Sequence, residues 1–291
     1  MKKSDRIISI VVLSVLAFLL IALYTAGLSN KSERSSRGGG NLIAIVELNG
    51  MILTPEKFIE EFQKFAERRD IRGIVLRINS PGGDVAASQE IYSAVKRVRN
   101  SGKSVVASIG SAGASGAYLV ALGANKIVAN PGSITGSIGV IIDFPVVVNL
   151  LKKVGVEMKV VKSGEYKDVG SPFKELKESD RAYLKNVVDD LQSQFVDVVV
   201  NERHLPKNDL VKIADGRIFT GSQAVQLGLI DTLGTLEDAI ALAGRLAGMT
   251  QKPETVISKK KKKSLLDLLF SDVEEVASMT TQTPAIEYLW K

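Results

Sequence analysis

Between Asn41 and Met249, short apolar runs alternate with stretches whose apolar residues recur every three or four positions. This alternation constrains the fold more than any other feature of the chain. Leu42–Leu48 reads as a strand. Thr54, as an N-cap, and Pro55, at the first helical position, open a helix with Phe58, Ile59, Phe62 and Phe65 on one face. Gly73–Asn79 is a second strand and Asp84–Arg99 a second helix, with Ser88, Ile91, Val95 and Val98 inward. A third strand, Ser104–Ile109, precedes a small-residue helix over Ala114–Ala124. Short strands are predicted at Lys126–Ala129, Ile138–Ile142 and Met158–Val161, with a helix at Pro145–Val154 between the last two. A long helix from Ser179 to Arg203 buries Val187, Val188, Leu191, Phe195 and Val198. Strands and helices in this order predict one α/β domain, a mostly parallel sheet with helices on both faces.

The flanks differ from this body. Ile7–Leu28 holds 22 residues without a charge, which at ~1.5 Å per residue spans a hydrocarbon core of ~30 Å. Lys2, Lys3 and Arg6 precede it, so residues 1–6 are expected in the cytoplasm, residues 7–28 as a transmembrane anchor and the rest outside the membrane. A cleaved signal peptide is the competing reading, but its apolar stretch is usually ~7–15 residues, and Tyr24-Thr25-Ala26 is a poor cleavage site. Residues 29–40 read as a flexible tether, 41–249 as the catalytic domain, 250–263 as a lysine-rich linker and 264–291 as a tail, with one short amphipathic turn suggested by Leu265–Phe270. Five of the six surplus positive charges form the run Lys259–Lys263, so the folded part is nearly neutral and nucleic acid is not an expected partner. The run is read either as a solvated linker or as a contact with anionic lipid headgroups. The absence of cysteine excludes disulfides, thiolate metal sites and a Cys nucleophile, and the single histidine, His204, leaves no multi-histidine metal site.

Reactive groups in open α/β folds gather at the carboxyl ends of strands, and three such ends carry unusual loops. Asn79-Ser80-Pro81-Gly82-Gly83-Asp84 joins a strand to a helix. It reads either as a turn that brings backbone N–H groups close to a negative oxygen or as an ordinary Pro-Gly turn. Ser111–Tyr118 (SAGASGAY) places Ser115 at a helix start, with the Gly116 N–H following it, and equally allows close helix packing. Ser163–Asp168 (SGEYKD) holds Lys167, and spacing alone leaves Lys159, Lys162 and Lys167 undistinguished.

Together NSPGGD at 79–84, GASGAY at 113–118, TGSIGV at 135–140, SGEYKD at 163–168 and DGRIFTGSQAVQLGLID at 215–231 resemble the signal peptide peptidase A family in its short form. These are Ser/Lys-dyad serine peptidases of the ClpP/crotonase fold. The resemblance runs from Leu42 to Gly248, with the motifs in the family's order. It implies Ser115 as nucleophile, Lys167 as general base, Ser137 as the residue orienting the lysine, and Gly83 and Gly116 as oxyanion-hole donors, with no metal and no cofactor. It also implies a ring-shaped homo-oligomer in which neighbouring subunits share each dyad, and cleaved signal peptides as substrates. A lysine base must be kept from water so that its neutral form survives at pH 7. Two rival expectations are a crotonase-like acyl-CoA enzyme and a catalytically inactive membrane-tethered scaffold. A histidine triad is not expected, because Ser137-Ile138-Gly139-Val140 occupies the place of the ClpP histidine. His204, before Leu205-Pro206, suits a helix end instead.

Overall fold

The computed structural model describes residues 41–258 and 285–290. The strands are β1 (Leu42–Asn49), β2 (Ile71–Ser80), β3 (Gly82–Asp84), β4 (Ser104–Ala114), β5 (Lys126–Ala129), β6 (Ile134–Gly136), β7 (Ile141–Asp143), β8 (Ile218–Thr220), β9 (Thr232–Leu233), β10 (Glu254–Ile257) and β11 (Ala285–Leu289). The helices are α1 (Glu56–Ala66), α2 (Val85–Asn100), α3 (Gly116–Ala121), α4 (Val148–Lys153), α5 (Glu178–Arg203), α6 (Lys207–Val211), α7 (Gly221–Gln226) and α8 (Leu236–Leu246). The main sheet runs β10-β1-β2-β4-β5-β9 with every pair parallel, and β6 and β8 extend it beyond β4. This is the α/β fold with a central sheet predicted from the alternation, and it is consistent with a ClpP-like architecture.

The sheet is buried on both faces, and the period of two along β1 shows it. Ala44, Val46 and Leu48 join the large core under α1, α2, α3 and α5, whereas Ile43 and Ile45 join a second core with Ala239, Ile240 and Ala243 of α8. The long helix α5 is tied to the frame at its carboxyl end. There Glu202 accepts from Tyr92 Oη at 2.6 Å and pairs with Lys96 at 2.7 Å and Arg99 at 2.8 Å. Its neighbour Arg203 pairs with Asp231 at 2.9 Å. Burial alone would raise the Glu202 carboxyl, but the hydrogen bonds from Arg99, Lys96 and Tyr92 outweigh it and hold that carboxyl down at about 2.

Several expectations need correction. Pro55, not Thr54, holds the N-cap position of α1. Of the strand expected at Ile138–Ile142 only Ile141 and Ile142 are paired, in β7; a separate strand β6 precedes them, and Gly136 and Ser137, both at positive φ, turn the chain between the two. Met158–Val161 is no strand, since no described strand lies beside it to complete a ladder. On α5, Phe195, Val196 and Val199 are buried, while Val187, Val188, Leu191 and Val198 are only half-buried. The stretch read as linker contributes β10, whose Thr255, Val256 and Ile257 pair in parallel with β1. The stretch read as tail contributes β11, which lies between β3 and β7 in a separate antiparallel sheet. The expected anchor, tether, lysine run and amphipathic turn lie outside the described residues. Among the described residues no helix is long and apolar enough to cross a membrane.

Candidate active site

Ser115 sits on the one residue between the end of β4 and the start of α3, with φ 55° and ψ −121°. A non-glycine residue held at positive φ is strained and persists only where its surroundings over-determine it. Here they do. Its N–H donates to Gly136 O at 2.8 Å and its carbonyl accepts from Leu119 N at 2.9 Å. A Cβ on Gly116 would collide with Ser88 Oγ, whose hydroxyl donates to Asp84 O at 2.7 Å. Asp84 in turn caps α2 by accepting from Ala87 N at 2.7 Å. A sharp strand-to-helix turn of this kind projects a serine hydroxyl towards whatever lies above the sheet edge.

The NSPGGD loop supplies the other wall. Ile52 N donates to Gly82 O at 2.8 Å and Asp84 N donates to Ile52 O at 2.7 Å, so those two groups of β3 point towards Ile52. Backbone groups alternate sides along a strand, so Gly83 turns its own N–H and C=O the opposite way, towards the edge that β11 pairs with. Gly82, at φ +105°, has no room for a side chain. The point its Cβ would occupy overlaps Tyr288 O and lies 2.8 Å from Gly116 N and 3.1 Å from Ser115 Cβ. The Gly83 and Gly116 amides thus border one small space beside Ser115.

Ser137 follows Gly136 directly, at φ 50° and buried, with its N–H donating to Arg217 O at 2.9 Å. It therefore stands next to the segment that holds Ser115 in place. Lys167 does not join this cluster within one chain. It lies on an exposed 3-10 turn, Glu165–Asp168, and the Ser115 hydroxyl oxygen, buried with its residue 1 % exposed, has no hydrogen-bond partner among the described residues. The geometry does separate the three candidate lysines. Lys162 pairs with Asp168 at 2.6 Å and Lys159 with Glu157 at 3.8 Å, whereas the Lys167 amine has no ion-pair partner among the described residues. Hydrogen bonds from Lys162 and Lys174 hold the Asp168 carboxyl at about 2, and Lys174 reaches on to the buried Asp180 at 2.8 Å. His204 occupies the left-handed C-cap of α5, as its place before Leu205-Pro206 suggested.

Residue-level reading of the sequence missed two participants. Gly82, rather than Gly83 alone, sets how closely a chain can approach Ser115. Tyr288 fills the space beside it, and the short apolar run Ala285–Trp290, broken only by Glu287, was the one signal of a buried segment there.

A strained serine beside backbone amides at the carboxyl edge of a parallel sheet is an arrangement that can support acyl transfer to serine. Residues 97–250 match the model of peptidase family S49, and residues 54–133 match that of Clp protease. A putative protease of Synechocystis sp. is 45 % identical over 71 % of this chain and 75 % of its own length. A putative protease of Methanocaldococcus jannaschii is 35 % identical over 84 % of this chain and 85 % of its own. A putative signal peptide peptidase SppA of Enterococcus faecium is 35 % identical over 64 % of this chain and 54 % of its own. The chain belongs to peptidase family S49 and is a serine-type peptidase.

Proposed function

We propose that this chain is a membrane-anchored endopeptidase in which Ser115 is the nucleophile and Lys167 of a neighbouring copy is the general base. The observation that carries the reading is the buried Ser115 hydroxyl, on a backbone strained to positive φ beside the Gly83 and Gly116 amides and without a hydrogen-bond partner among the described residues. A buried hydroxyl left unsatisfied costs about 1–3 kcal/mol. A base arriving from outside the chain would remove that cost. The segment carrying Lys167 supports such an arrival, because Val154, Val156, Met158, Val160 and Val161 on it are all exposed. A run of apolar side chains in water is the mark of a surface that another protein covers, and covering it would also strip water from the Lys167 amine.

In this scheme the Lys167 amine takes the Ser115 proton as the oxygen attacks a peptide carbonyl. Ser137 orients the amine by a hydrogen bond. The oxyanion forms against the Gly83 and Gly116 N–H groups, each contributing about 3 kcal/mol to the transition state. The lysine ammonium then protonates the leaving amine, and water hydrolyses the acyl-enzyme. The charge-free stretch Ile7–Leu28 supplies the anchor and places the domain outside the cytoplasm. Peptides lying in or leaving the bilayer, cleaved signal peptides among them, are the substrates that such a location brings within reach. A fluorophosphonate tests the assignment. It should label Ser115 in the native chain and lose at least most of that labelling in Lys167→Ala. Labelling that proceeds unchanged in Lys167→Ala would remove the lysine from the mechanism.

A further inference from the structure

We propose that Lys174 is a positioning residue for the general base. It holds the turn that carries Lys167 against the amino end of α5, and it occupies the carboxylate of Asp168, the next residue in the chain. The proposal rests on the reading of Lys167 as base and adds to it the side chains that place and tune that base.

Little in the backbone fixes where this turn stands. Between α4 and α5 the only regular element is the 3-10 turn Glu165–Asp168. Its hydrogen bonds, from Lys167 N to Gly164 O at 3.3 Å and from Val169 N to Tyr166 O at 3.2 Å, stay within the turn. Side chains make the outward ties. On one side of Lys167, the Tyr166 ring stacks on that of Tyr183 of α5, with centroids 4.8 Å apart. On the other, Asp168 accepts from Lys162 Nζ at 2.6 Å and from Lys174 Nζ at 3.1 Å. Lys162 also donates to Glu165 O at 2.7 Å, which closes the turn on itself. Lys174 reaches out of the turn. Its ammonium pairs at 2.8 Å with Asp180, whose side chain is only 2 % exposed and also accepts from Lys177 N at 3.3 Å at the start of α5. A carboxylate buried to that degree needs a cation beside it to stay charged, so Lys174 has a fixed station. The hydrogen bond between them raises the Lys174 ammonium above the ordinary lysine value and holds Asp180 below the ordinary aspartate one.

Helix α5 extends that hold across the domain. Roughly 18 Å along its axis from Asp180, Gln192 Nε2 donates to Ala214 O at 2.7 Å and to Ile138 O at 3.3 Å, the carbonyl that follows Ser137. One rigid element thus spans from the base that a copy extends to the Ser137 segment of its own site. The same contacts set the charge beside Lys167. An unengaged Asp168 carboxylate would favour the Lys167 ammonium and raise its pKa, the wrong direction for a base. The charged groups facing Asp168 and Lys174 are Lys162 from the turn, Asp180 from α5 and Lys177 from the residue before it. Lys162 and Lys174 together occupy Asp168 and leave the Lys167 amine outside the network.

Hydrolysis of labelled casein by detergent-solubilised full chains, followed as kcat/KM against pH, tests this. The acid limb of the profile reports the ionisation of the base, and Lys167→Ala is the control for the base itself. Lys174→Met combined with Asp180→Asn, which leaves no buried carboxylate without a cation, should lower kcat/KM about 10- to 100-fold. The same chain should show its acid limb moved upward by about half a pH unit or more. Lys174→Arg alone should keep both near their native values. Asp168→Asn, which leaves Lys174 on Asp180, should move the limb the opposite way, to lower pH, because Lys162 and Lys174 lose their shared counter-charge beside Lys167. A limb unmoved in these variants, with hydrolysis still dependent on Lys167, makes Lys174 a structural residue only and overturns the proposal while the reading of the base stands. Hydrolysis unchanged in Lys167→Ala overturns that reading instead. If the double variant does not fold, Asp168→Asn alone decides, and a limb that stays in place refutes the proposal.

Discussion

Ser115 and Lys167 stand in surroundings that differ in almost every physical respect. Around Ser115 the backbone is held from all sides by Gly136, Leu119, Ser88 and the β3 loop, and the residue is 1 % exposed. Around Lys167 the chain runs through an exposed turn, and Val161 a few residues earlier is fully in water at 102 %. A rigid wall needs only the folding of one copy, since its hydrogen bonds close within the domain. An exposed apolar segment reaches its lowest free energy only when something covers it. The first half of the site is thus fixed by folding, and in the proposed scheme the second half is fixed by assembly.

The sharpest way to break this comparison is to separate the two residues onto different copies. Ser115→Ala and Lys167→Ala chains should each lose peptide hydrolysis by about a thousandfold or more. Mixing the two before assembly should restore measurable turnover, because some interfaces then join an intact serine to an intact lysine. No recovery in mixed particles would mean that each chain completes its own site. A smaller effect tests the rigid wall. Gly82→Ala places a Cβ at φ +105° against the Tyr288 carbonyl and Gly116 N, and kcat/KM for a peptide should fall about 10- to 100-fold as the Gly83 donor is displaced.

The frame behind Ser115 can be probed by stability. Glu202→Gln removes the charge that binds Tyr92, Lys96 and Arg99 and should cost about 2 kcal/mol in denaturant unfolding. The sign with pH follows from the lowered carboxyl. The stabilisation is complete above the ordinary glutamate value of 4.5 and is lost as pH falls through about 2. Acid titration of the native chain and of Glu202→Gln should therefore converge at the low end. The smallest effect on stability is expected on the other side. Val161→Asp should leave monomer stability within about 0.5 kcal/mol, yet sedimentation should show its assembly weakened. A large loss of monomer stability would place Val161 in the fold itself.

Strands β1, β2, β4 and β5 were legible because they are largely buried and read as apolar runs, as in Ile74, Val75 and Leu76 of β2, whereas the short or exposed β6, β8, β9 and β10 were not. The glycines of NSPGGD and SAGASGAY left a close approach and an ordinary turn or packing both open, and only the family resemblance chose between them. Met158–Val161 was misread because its apolar pattern suits a strand while no described strand lies beside it. β11 was missed for the opposite reason. Its five residues are apolar but for Glu287 and show no clear period, nothing in them tells which distant edge they will join, and pairing across about 200 positions of sequence leaves no local trace. The positive φ of Ser115 and Ser137 was equally silent, since it arises from contacts with Gly136 and Arg217 rather than from serine's own preferences.

The gap between β3 and β7 has a consequence for what can be digested. Its two rims offer main-chain donors and acceptors, so they grip a polypeptide by shape more than by spelling. In the proposed scheme a compact globular protein has no slack ribbon to insert and would be spared. A helix drawn from a lipid phase must first give up its internal hydrogen bonds, which is costly wherever water is absent. In the proposed scheme the rims that β11 pairs with here would offer an incoming peptide replacements for those bonds at the moment of unwinding, and selectivity would reside in the ease with which that peptide can be straightened.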